Sequence, residues 1–268
     1  MSKVVILAAG AGTRMRRADA SAQLTPEQER IAAEGIKAMI PIGRPFLDYV
    51  LTRVADAGYR QVCLVVGPQH DVLRQYYRDV VKTRLSIHFA VQPRPLGTAN
   101  AVAASRDFVG DDSFLVINSD NCYPASVMAE MRQVEGGALA GFDRRGLTTG
   151  SNIPAERVAR FAILQVDTGG YLRRAIEKPD PKLLDGLPEP ILVSMNCWKF
   201  TPAIFTACDR IVPSVRGEFE IPDAVMYSIE HLGQSYRVFP TNEPVLDLSS
   251  RQDIEPLARH LSALEVRL

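Results

Sequence analysis

Apolar residues along this chain arrive in two rhythms. Short unbroken runs alternate with stretches where apolar positions recur every three or four residues. Residues 4–7, Val-Val-Ile-Leu, are apolar throughout and rich in β-branching, which predicts a strand buried on both faces. Residues 61–66, 85–91 and 113–118 repeat that character. Helical spacing fills the gaps. Residues 45–57 place Phe46, Val50, Val54 and Ala57 on one face and stop at Gly58; residues 69–78 follow; and residues 98–104 begin a helix with Thr98 as its N-cap. "TPEQERIAAEG" predicts another helix, with Thr25 as N-cap, Pro26 in the first turn, Gln28 closing a capping box and Gly35 as the stop. Strand and helix alternate in this way through about residue 135, the signature of a parallel sheet with helices on both faces.

The second half changes rhythm. Residues 159–166, the turn "DTGG" and residues 171–176 predict a hairpin. A strand follows at 191–200, helices at 202–211 and 222–232, a strand near 236–239 and a closing helix near 253–264. "KPDPKLLDGLPEP" reads as a surface excursion within a single domain spanning 1–268, without repeats or low-complexity tracts.

Composition narrows the classes. Apolar residues make up 46% of the 268, enough for a substantial core, and the formal net charge is zero. Neither a nucleic-acid footprint nor a membrane-surface partner is expected. The apolar start is too short for a signal-peptide core, and no run reaches membrane-span length. Cys63, Cys122, Cys197 and Cys208 form no C-x-x-C pair, which predicts reduced thiols and a cytoplasmic protein. The four histidines have no metal-ligand spacing.

Chemistry concentrates where strands end. Gly10 and Gly12 follow the first strand and allow backbone N–H groups to approach an anion. A dinucleotide fingerprint needs a third glycine where Met15 stands, and a P-loop needs Lys-Ser/Thr after its second glycine. A tight βα turn and a ligand loop both remain; Arg14 tips the reading toward polyphosphate, whereas Arg16 and Arg17 read as solvated. "FLVINSDNCY" runs a buried strand into Asp120, at the edge where open α/β sheets bind ligands, although a cap or turn residue fits as well. Asp247 lies between apolar residues, a costly place for a charge. A metal, an N-cap role or an arginine partner would each account for it. Glu177 and Lys178 close a strand before Pro179, as exposed charges often do.

"LAAGAGTRM" (7–15) followed by "KAMIPIGRPFLDY" (37–49) resembles the signature of the sugar-1-phosphate nucleotidylyltransferases, L-A-A-G-x-G-T-R and then K-P-x-x-P-I-x-x-x-P. "VQPRPLGTANAV", "FLVINSDNCY", "EKP", "VSMNCWKF" and "VLDLSSRQDI" continue the likeness in the family's order. The resemblance implies a Rossmann-like three-layer sandwich around a mixed, mostly parallel sheet, with a nucleotide-binding half over 1–135 and a sugar-phosphate-binding half over 136–268. It implies that Leu7, Ala9, Gly10, Ala11, Gly12 and Thr13 wrap a nucleoside triphosphate. Arg14 would steady departing pyrophosphate, and Lys37 would reach the phosphates across the reaction centre. Gln92, Gly97 and Thr98 would face the base, Asp120 and Asp247 would hold magnesium, and Glu177, Lys178, Ser194 and Asn196 would bind the sugar phosphate. A glutamine amide suits the imide of uracil or thymine, so dTTP or UTP is favoured, although an amide also reads adenine.

The chain departs from the pattern in several places. Ser119 replaces a glycine, Asn196 a glycine, Trp198 a tyrosine, and Ser249-Ser250 a Gly-Thr pair. Residues 17–36 are longer than the usual link, a lid or an interface element. Glu218 and Asp223 in "RGEFEIPDAV" read as structural caps or as residues that shape the sugar site, with the structural reading favoured. The implied reaction is magnesium-dependent in-line nucleotidyl transfer from an NTP to a sugar 1-phosphate, in a homo-oligomer. The alternatives are a silent nucleotide or sugar-phosphate sensor or assembly subunit, and a cytidylyltransferase acting on another alcohol phosphate. A nicotinamide dehydrogenase is disfavoured by Met15 and by the lack of an acid after the second strand, where Val66 leads into Gly67-Pro68.

Overall fold

The computed structural model describes residues 1–177, 179–180, 184 and 186–268. Strand Lys3–Leu7 pairs in parallel with Gln61–Val66 on one side and Phe114–Asn118 on the other, and Ser86–Val91 extends the parallel half. Leu192–Phe200 then runs antiparallel to Phe114–Asn118. It carries both the hairpin Ile163–Val166/Leu172–Ile176 and strand Gly137–Asp143, which takes Tyr236–Thr241 in parallel. The result is the expected mixed sheet, nine strands wide among the described residues.

Burial on both faces explains the unbroken apolar runs. Val4 and Ile6 point into one core, with Leu64, Leu115 and Ile117; Val5 points into the other, with Val65, Phe114 and Val116. Helices Phe46–Asp56 and Ala125–Gln133 cover the first face, and Ala203–Arg210 and Ile221–Leu232 the second. The Thr25 capping box forms on both sides and Gly35 closes helix Pro26–Glu34.

Three expectations are corrected. Strand Gly137–Asp143 was not anticipated, because its Gly-Ala-Leu-Ala-Gly run has no periodicity; partners distant in sequence make it a strand. The hairpin begins at Ile163 rather than at residue 159, since Ala155–Val158 forms a helical turn. Thr98 is not the cap of its own helix. Gly97 holds that position, and the Thr98 hydroxyl accepts the Ile221 N–H at 3.0 Å, satisfying an orphan donor in the first turn of Ile221–Leu232.

Thr25→Ala removes one side of the capping box and is expected to cost about 1 kcal/mol in urea unfolding.

Candidate active site

Three segments leave the C-terminal edge of the parallel half together. Ala8 continues the strand by donating to the Val65 carbonyl, Gln92 donates to Val66, and Ser119 donates to Leu7. Sheet register alone therefore sets the 8–12 loop, Gln92 and Asp120 around one opening. A cavity of about 450 Å³ lies there, lined by Leu7, Ala9, Gly10, Ala11, Gly12, Lys37, Gln92, Gly97, Thr98 and Asp120, ten of the expected site residues, and by Glu218. Thr13 and Arg14 stand outside that lining on the short helix Thr13–Arg16. Both are exposed, and Arg14 makes no ion pair or side-chain hydrogen bond among the described residues.

The glycine loop is held by contacts that its own sequence does not contain. Gly12 has φ +61°, and a Cβ there would come 2.1 Å from the Gly35 carbonyl oxygen. Met15, in place of a third glycine, is fully buried and pins the short helix to the core. Residues 17–36 lie against this loop as a brace. Ile31 and Ala32 of helix Pro26–Glu34 enter the core, and Gln28 donates to the Pro41 carbonyl. Arg251, itself buried, pairs with Glu29 and donates to the Met15 carbonyl at 2.9 Å. The brace ends at Gly35, two residues before Lys37, so it also sets where Lys37 begins.

Lys37 Nζ lies 2.9 Å from Asp120 Oδ2. The second expected metal ligand arrives across a two-residue ladder, Asn121–Cys122 against Leu246–Asp247, in which Asp247 pairs with Asn121. Leu248 N–H donates to the Asp120 carbonyl, closing the two segments together. Asn121 Nδ2 donates to Asp247 Oδ1 at 2.9 Å, and Asn152 holds the Asp247 backbone through both its N–H and its carbonyl. Arg157 donates to Asp247 Oδ2 at 2.6 Å and forks onto both oxygens of Asp253. An arginine partner, one of the readings left open by the sequence, thus meets the buried charge. The N–H groups of Ser249 and Ser250, with the Ser250 hydroxyl, donate to Asp253, and a Ser249 side-chain hydrogen bond favours the charged form of Asp247. Burial raises the Asp247 carboxyl from 3.8 to about 6, and the nearby Asp120 charge acts in the same direction.

The sugar side is more dispersed. Glu177 is exposed just beyond strand Leu172–Ile176, and its charge acts on Arg216. Lys178 lies outside the described residues. Ser194 and Asn196 sit on Leu192–Phe200 where its register against Gly137–Asp143 shifts. Asn196 has φ +57°, a left-handed backbone that glycine adopts freely and asparagine tolerates better than most residues. Its amide oxygen accepts the Trp198 indole N–H at 3.3 Å. Glu177, Ser194, Asn196 and Asp247 do not line the cavity itself. Tyr123 connects the two regions, its hydroxyl donating to the Met195 carbonyl beside Asn121.

The nucleotidyl transferase family model matches residues 3–248. The chain belongs to this family. A glucose-1-phosphate thymidylyltransferase of Streptomyces griseus is 31% identical over 85% of the chain, and the Haloferax volcanii low-salt glycan biosynthesis nucleotidyltransferase Agl11 is 29% identical over 85%. The chain spans 57% of the length of each. A UTP–glucose-1-phosphate uridylyltransferase, AglF of Haloferax volcanii, is 30% identical, with 83% of this chain and 82% of the relative covered. A UDP-glucose pyrophosphorylase solved with UDP-glucose shares the fold at TM-score 0.75 and 18% identity, covering 99% of this chain and 100% of that one.

Asn121, Asn152, Arg157, Arg251 and Asp253 were not singled out in the sequence. Asn121, Arg251 and Asp253 lie inside quoted segments, but no local pattern reveals their roles, because each acts by holding a residue distant in the chain. Glu218, for which the sequence leaves open a structural cap or a part in shaping the sugar site, lines the cavity.

Arg157→Met leaves Asp247 and Asp253 buried together without their cation and is expected to cost about 3 kcal/mol in denaturant unfolding. The raised Asp247 pKa also sets a pH window. The unfolded chain loses this proton near 3.8 and the folded chain near about 6, so the stability it contributes is present below 3.8 and lost as pH rises through about 6.

Proposed function

We propose that the protein joins a nucleoside triphosphate to a sugar 1-phosphate, releasing pyrophosphate and an NDP-sugar. The observation that carries this reading is the convergence of the glycine loop, Lys37 and Asp120 on one cavity at the sheet edge. Backbone N–H groups of Gly10–Gly12 suit the triphosphate, and Arg14, exposed beside them, is free to meet the β- and γ-phosphates. A sugar-phosphate oxygen attacks the α-phosphorus in line with departing pyrophosphate. No general base is needed, because a phosphate monoester with a second pKa near ~6 is already largely a dianion at neutral pH. Catalysis then rests on positioning and on neutralising charge.

Two neighbouring carboxylates fit magnesium, which keeps waters and takes phosphate oxygens for the rest of its shell. Asp120 and Asp247 would hold it, and it would supply neutralisation of the phosphate charge. Within the protein those carboxylates are matched by Lys37 and Arg157. Lys37 therefore changes partner on substrate binding, from Asp120 to phosphate, and reaches the substrate as a cation already held at the cavity. Gln92, Gly97 and Thr98 face the base, favouring UTP or dTTP. Glu177, Lys178, Ser194 and Asn196 take the sugar phosphate, so the two halves, 1–135 and 136–268, divide the substrates. The names of the thymidylyl- and uridylyltransferase relatives support glucose 1-phosphate as the first sugar to try. We place this work in the cytoplasm and in a homo-oligomer; no helix among the described residues is long and apolar enough to cross a membrane.

A pyrophosphate-release screen crossing the five common triphosphates with a panel of sugar 1-phosphates, in Mg2+, tests the reaction. Turnover is expected with UTP or dTTP, and silence across the grid would favour a nucleotide sensor. Asp120→Ala, Asp247→Ala and Lys37→Met are each expected to lower kcat by about 100-fold or more. Full magnesium-dependent turnover in both aspartate variants would sink the metal assignment.

A further inference from the structure

Gln92 is 4% exposed and lies just beyond strand Ser86–Val91. Its amide nitrogen donates to the Gly97 carbonyl at 3.0 Å and to Asn100 Oδ1 at 2.9 Å. A carboxamide has two N–H donors, so both are used inside the protein. A peptide carbonyl can only accept, so turning the Gln92 amide over would set two oxygens against each other at Gly97. The Gln92 carbonyl oxygen has no partner among the described residues, and no buried side-chain oxygen or nitrogen there is left orphaned. That oxygen is therefore open, on a side chain that lines the cavity.

Asn100 is the residue that completes this arrangement. It sits in the helix Thr98–Ala103, Thr-Ala-Asn-Ala-Val-Ala, where asparagine is a poor helix former among good ones. Among the described residues its side chain makes one hydrogen bond, to Gln92. The helix start is itself fixed, since Ala99 N–H donates to the Phe219 carbonyl and a Cβ on Gly97 would come 2.4 Å from that same oxygen.

We propose that Asn100 is a specificity-determining residue that acts through Gln92. By holding the amide nitrogen, it leaves the site a hydrogen-bond acceptor and no donor at this point. An acceptor there matches the ring N3–H of a uracil or thymine imide. Cytosine carries a lone pair on N3 and meets the Gln92 oxygen with repulsion. Without Asn100, the amide is less firmly held and can present an N–H to cytosine. The proposal rests on the reading that this cavity holds the base of a nucleoside triphosphate.

The test is the affinity of the full chain for UTP and CTP in Mg2+, by isothermal titration calorimetry with no sugar phosphate present. Asn100→Leu removes the acceptor and fills its space; Asn100→Ala removes it while favouring the helix; Asn100→Asp keeps an acceptor in place. The wild type and Asn100→Asp are expected to prefer UTP, and in both Asn100→Leu and Asn100→Ala that preference is expected to shrink by about tenfold, one hydrogen bond's worth. An unchanged UTP-to-CTP ratio in folded Asn100→Leu and Asn100→Ala overturns the proposal. An equal loss in Asn100→Asp also overturns it, by showing that the position matters for shape and not as an acceptor. If the wild type binds neither triphosphate, the nucleotide reading of the cavity fails, and the role of Asn100 fails with it.

Discussion

Two aspartates far apart in the chain are held close together, and most of the site is arranged around the cost of doing so. Asp120 leaves the sheet on a strand buried in the core, and Asp247 is delivered to it by a ladder only two residues long. Burial penalises the Asp247 charge and the nearby Asp120 charge adds to that, which is why the Asp247 proton is held up to about 6. The protein answers with its own cations. Lys37 sits on Asp120, and Arg157 bridges Asp247 to Asp253. The site thus balances its charge internally, each carboxylate matched by a cation.

The segment 17–36 belongs to the same arrangement. Its helix fixes Gly35 against Gly12 on one side and Glu29 against Arg251 on the other. The glycine loop, the start of the Lys37 turn and the stretch that follows Asp247 are thereby fastened to one another. A lid would be joined loosely to the body it covers. This segment puts Ile31 and Ala32 into the core and ends in a backbone contact too close for any side chain, so bracing describes it better.

The positions that depart from the family pattern have local reasons. Asn196 occupies a left-handed backbone position, so a glycine there and an asparagine here answer the same constraint, and the amide finds the Trp198 indole. Ser249 and Ser250 serve Asp253, whose two oxygens then orient Arg157 toward Asp247. Ser249 also acts directly, through a side-chain hydrogen bond that favours the charged form of Asp247.

Only through the family resemblance did the sequence name most of the residues that gather at the sheet edge; by itself it determined the strands of the parallel half, their order of alternation with helices and the Thr25 cap. Those features depend on local periodicity, capping and turn chemistry, which a chain carries in consecutive residues. Only the tertiary structure decided that Gly137–Asp143 would be a strand, that Thr98 would cap a neighbouring helix, and that Arg157, Asn121 and Asn152 would secure Asp247. It also decided which end of the Gln92 amide faces the cavity. A residue pattern can place a carboxylate or an amide at the end of a strand, but charge compensation and hydrogen-bond direction depend on partners brought together by folding.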